Sequence, residues 1–130
     1  MIPRVFWHYG GAFYLLVQSL GATLWWLILW LEPGSRDYFR PSNAPDSVLL
    51  ALALPDFVLF IGAALFAARQ LLKRPKTAII PLALHAGAAC YAALYCVMQW
   101  VSTGEAGLAA LLMAPSLVVG PLLLWNISRL

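Results

Sequence analysis

Residues 48–68 read VLLALALPDFVLFIGAALFAA, an unbroken apolar run whose only charge is Asp56. A hydrocarbon layer about 30 Å thick is crossed by roughly 20 apolar residues in a helix, and this run is long enough. A helix lying on a soluble core would show polar residues along one face. This run shows none, so its reading is a membrane helix. With its flanks the span covers about 47–72, and Asp46 or Ser47 is expected to cap its start.

Three further runs of the same kind flank it, at about 12–31, 77–101 and 106–127. Together they predict an all-α membrane protein, a bundle of four transmembrane helices forming one domain over residues 1–130. Composition agrees. The chain is 63% hydrophobic and 10% charged, whereas a soluble domain carries about 25% charged residues. A water-soluble fold is excluded for want of polar surface. The net charge of +3 sits at helix ends and not in a patch, so nucleic acid is not an expected partner.

The first run begins after Arg4, as a signal peptide would. It extends for about 20 residues and ends in Trp25, Trp26 and Trp30, with no small-residue cleavage pattern, so it reads as a retained helix. Trp7, His8 and Tyr9 at one end and the three tryptophans at the other are placed as interfacial rings. Glu32-Pro33-Gly34 stops the helix. Pro55 interrupts the second run and predicts a kink there; alternatively 47–54 forms a short interfacial or re-entrant piece. Pro115 and Pro121 predict kinks in the fourth.

Basic residues set the expected orientation. The second loop carries Arg69, Lys73, Arg74 and Lys76; the first has two basic and three acidic residues, and the third only Glu105. Arg4 and Arg129 fall on the side of the second loop. The positive-inside rule then places both termini in the cytoplasm, N-in and C-in, with the chain expected in a bacterial inner (cytoplasmic) membrane.

Chemistry-bearing residues are few. Asp56 lies nine residues from Ser47, about 13 Å from that end, and His85 eight from Thr77, about 12 Å from the other. Gln18 falls about 9 Å above the same end as His85. The three form an expected polar layer in which Asp56 and His85 come within reach, extended outward by Tyr91, Tyr95 and Gln99 at a four-residue period. Polar groups in mid-bilayer face the bundle interior and mark either function or interhelical hydrogen bonding. A lipophilic ligand above this layer is a second reading. Ligation of a pigment or haem by His85, beside small residues, is a third and minor one; His8 does not complete a bis-His site. Ser116 with Gly120, Ala88 with Ala92, and Ser19 with Thr23 are small-residue pairs suited to helix contact. Cys90 and Cys96 are about 600° apart on a helix, which argues against a disulfide between them. No Walker loop, GxSxG, HExxH or dinucleotide motif is present.

The order of Asp56 in the second run, a basic turn entering Lys76-Thr77-Ala78-Ile79-Ile80, His85, and the prolines of Ala114-Pro115 and Gly120-Pro121 resembles the EXPERA family, the four-helix membrane fold of emopamil-binding sterol isomerase. That resemblance implies a membrane-open cavity for sterol-like cationic or apolar molecules, lined by Asp56 and His85. The chain departs from the family in carrying Gln18, and no carboxylate, in the first span. Its turn before the third span is also short. The leading expectation is a non-catalytic accessory or structural subunit, with membrane lipids and a membrane-protein partner or a second copy as its contacts.

Overall fold

A computed structural model describes residues 4–129. Among them the chain is helical, with no strand. Four helices are long and apolar enough to cross a membrane: α1 (Arg4–Leu31), α2 (Asp46–Lys73), α3 (Pro75–Thr103) and α4 (Gly107–Ser128). α1 extends at least eight residues ahead of the expected span, with Gly10 and Gly11 inside the helix. At Gly11 an added Cβ would stand 2.6 Å from a methyl of Leu123, so the missing side chain lets α1 and α4 approach closely.

Neighbours in sequence are neighbours in space. α1 packs on α2, α2 on α3, α3 on α4, and a lighter α1–α4 contact closes the bundle. Two tight turns enforce the antiparallel order of α2, α3 and α4; α1 reaches α2 through a longer connection that holds a 3-10 turn over Pro33–Tyr38. Between α2 and α3 only Arg74 intervenes, followed by a 3-10 turn over Pro75–Ala78. Between α3 and α4, Gly104 adopts φ 73° and its N–H returns to the Trp100 carbonyl, the left-handed stop that glycine adopts without strain.

The second helix keeps one helical course and does not fold back. Ala51, Leu52, Pro55 and Asp56 all have right-handed helical dihedrals, so the chain does not reverse direction there, although a turn at Ala51–Leu52 separates Asp46–Leu50 from Ala53–Pro55. Pro55 has no N–H for the ladder, and directly after it Asp56–Gly62 widens into a π-helix. The start is not capped as expected. Asp46 is the first helical residue, Pro45 precedes it, and no side chain caps the end. The Asp46 carboxylate instead binds Arg36 at 2.8 Å and Arg40 at 2.7 Å. In α4, Pro115 falls in a break between Gly107–Met113 and Ser116–Ser128, while Pro121 stays inside the helix.

Two apolar clusters fill the interior. One, toward the termini, joins Ala12, Leu15, Ala67, Leu71, Leu82 and Ile127. The other, toward the first loop, joins Trp26, Leu29, Leu49, Phe60, Ile61 and Ala89. Polar side chains are buried between them.

Candidate functional site

His85 is completely buried on α3 and faces Phe60 of α2, their rings 4.9 Å apart. Its Nδ1 lies 2.8 Å from the Phe60 carbonyl, within the π segment. Its Nε2 lies 2.8 Å from Gln18 Oε1 on α1, and Gln18 Nε2 lies 2.7 Å from Ser116 Oγ on α4. One chain of hydrogen bonds therefore visits all four helices at one level. The sequence singles out His85 and Gln18 for this level. Ser116 reads there only as a small residue, and the Phe60 carbonyl carries no sequence signal.

The proton count along this chain has two solutions. As oriented, both ring nitrogens face acceptor oxygens, which only an imidazolium satisfies. Turning the Gln18 amide by 180° sets its NH2 against Nε2 and its oxygen against the Ser116 hydroxyl, over the same distances. The neutral ring with the proton on Nδ1 then satisfies every partner. A buried cation without a counter-charge is far costlier than a neutral ring, so the second assignment is the self-consistent one. Either way both nitrogens are engaged. To act as an axial ligand to a haem or pigment, His85 would have to give up the Gln18 contact at Nε2.

Asp56 does not join this layer. Its Oδ2 accepts from the indole N–H of Trp26 at 3.0 Å. The expected Asp56–His85 contact fails on register. Heights taken inward from opposite ends presume a 30 Å span, but α2 has 28 residues, about 42 Å of helix. Counted from their shared turn, Asp56 stands about 25 Å along and His85 about 15 Å. Trp26 is fully buried within the bundle, whereas Trp30, one turn on, is half exposed and stacks on Phe57 with centroids 5.6 Å apart. Among the described residues the second Asp56 oxygen accepts no hydrogen bond from the protein.

The polar stripe expected along α3 also divides. Tyr91 turns away from the bundle and is 71% exposed. Tyr95 and Gln99 help to line a cavity of about 40 Å³ beside Trp25, Phe39, Leu49 and Cys96. That volume has room for water; Trp25 lines it, and the indole N–H of Trp25 is buried without a partner. The Tyr14 hydroxyl is buried near Ser116 but makes no hydrogen bond of ordinary geometry.

The first-loop end carries the other polar assembly. Arg36 donates to the Leu29 carbonyl at the end of α1 and to Asp46, while Arg40 joins Asp46, Asp37 and the Ala44 carbonyl. Glu105, in the α3–α4 turn, accepts from both the backbone N–H and the hydroxyl of Ser42. These bonds hold its carboxyl below the usual range. A cleft of about 680 Å³ opens here, lined by Asp37, Tyr38, Arg40, Ser42, Glu105 and Leu108.

What the geometry defines is a bundle of four apolar helices tied at mid-height by side chains that satisfy one another. Among the described residues no three His, Cys, Asp or Glu side chains gather as a metal centre. No family model, curated protein or solved structure matches the chain.

Proposed function

We propose that this protein is a small integral membrane subunit whose bundle packs in the bilayer against a larger membrane assembly, without catalysing a reaction itself. The observation that carries this reading is the closed hydrogen-bond chain through Gln18, His85, Ser116 and the Phe60 carbonyl. The polar side chains of that layer are spent on joining helices, while Asp56, outside it, keeps one oxygen without a protein partner among the described residues. In this proposal the termini and the 73–76 turn face the cytoplasm of a bacterial inner membrane, as their basic residues favour. The outer faces meet lipid and a protein partner or a second copy. Mild detergent extraction tests it: the chain should emerge in fixed ratio with the same membrane proteins, and a chain that always emerges alone overturns it.

A second reading rests on Asp56. A carboxylate with one free oxygen, beside Trp26, Trp30 and Phe57, is suited to a lipophilic cation, because aromatic faces and a carboxylate both attract positive charge. This is also what the EXPERA resemblance implies for Asp56. His85 does not share that role, since its nitrogens are occupied.

A further inference from the structure

Charge in this chain is sorted by end. Glu32, Asp37, Asp46 and Glu105 all belong to the first-loop end, where Arg36 and Arg40 are both paired. At the opposite end Arg69, Lys73, Arg74, Lys76 and Arg129 are all exposed, and none pairs with a carboxylate among the described residues. Arg69 and Lys73 are one turn apart on the same face of α2. Arg74 and Lys76 follow within three residues. Ile127 belongs to the same buried cluster as Leu71 and Ala78, which brings the end of α4 to that end of the bundle. There the Arg129 guanidinium lies 3.8 Å over the Trp125 ring.

We propose that this corner binds anionic phospholipid headgroups. Like charges within a turn of one another repel, and among the described residues no carboxylate pairs with them. A phosphate can be that counter-charge. The start of α3 adds to the same field, since no acidic residue occupies its first turn and no side chain caps it. The surroundings favour a lipid over an acidic protein or free phosphate. The cations emerge where the apolar runs stop, and exposed Leu72, Ile79 and Ile80 stand beside them. A lipid satisfies both halves of such a surface, its phosphate against the cations and its acyl chains against the leucine and isoleucines. Basic residues clustered next to membrane helices attract anionic lipid by the same physics. The inference goes beyond the subunit reading and does not depend on it.

The test uses the purified full chain, stripped of lipid in a neutral detergent and offered an equal mixture of phosphatidylglycerol and phosphatidylcholine. Lipid retained through gel filtration is then counted. The expected result is enrichment of phosphatidylglycerol, lost at high salt, with the R74Q/K76Q variant weaker by about fivefold for each cation removed. Using purified protein separates this effect from any change of orientation that the substitutions cause in cells. Should the variant not fold, the lipid preference of the unaltered chain and its salt dependence decide alone. Retention in the ratio supplied overturns the proposal. So does displacement of the lipid by inorganic phosphate or an acidic peptide at comparable concentration, which would make those the occupants.

Discussion

Replacing His85 by Phe and Gln18 by Leu, singly and together, isolates the bond that joins α1 to α3. His85→Phe keeps a ring against Phe60 but removes two hydrogen bonds, one to the Phe60 carbonyl and one to Gln18. Gln18→Leu also removes two, to His85 and to Ser116. Interhelical hydrogen bonds in membrane proteins average about 0.6 kcal/mol, so each single variant should lose about 1 kcal/mol. The double variant loses three bonds and not four, because one is shared. It should therefore fall short of additivity by about 0.6 kcal/mol. The assay is reversible unfolding in mixed micelles titrated with a denaturing detergent, followed by helical circular dichroism. A double variant that is additive within error would refute the reasoning, as would single variants that unfold like the parent.

Two other perturbations separate the remaining polar groups. Asp56→Asn keeps an acceptor for the Trp26 indole and should unfold close to the parent. Asp56→Leu leaves that buried N–H unpaired and should cost about 1–3 kcal/mol in the same titration; equal behaviour of the two would mean the bond is idle. Glu105 is held below the ordinary carboxylate range by Ser42, so its folded value is the depressed one. Its contact is complete above the unfolded value of about 4.3 and is lost as pH falls through the lower, folded value. Protection of the Ser42 amide, taken against its intrinsic exchange rate at each pH, should fall across that acid window in the parent and be lost throughout in Glu105→Ala; protection that does not change with pH in the parent would exclude the tie.

The helices were legible because an apolar run of membrane length has almost no stable place outside a bilayer, and the two tight turns dictate that α2 touches α3 and α3 touches α4. Gln18 and His85 were legible for the same reason, as lone polar residues in apolar surroundings. Their partners were not. Ser116 resembles any small residue at a helix contact, and the Phe60 carbonyl is offered by a π segment whose extent after Pro55 follows from backbone geometry, not from residue type. Asp56 was visible as a residue but not as a contact, because its height depends on how far α2 extends beyond a minimal span. The three tryptophans of α1 look alike in sequence. Only the packing of α1 on α2 turns Trp26 inward to Asp56 and leaves Trp30 half exposed.

The central claim is that this bundle is a subunit and its polar layer a structural tie. Native mass measurement of material gently extracted from its own membranes, with everything bound identified, tests that claim most directly. The account predicts a discrete assembly with partner proteins in fixed ratio. A lone bundle carrying one defined lipophilic molecule would contradict it and would move the weight to Asp56.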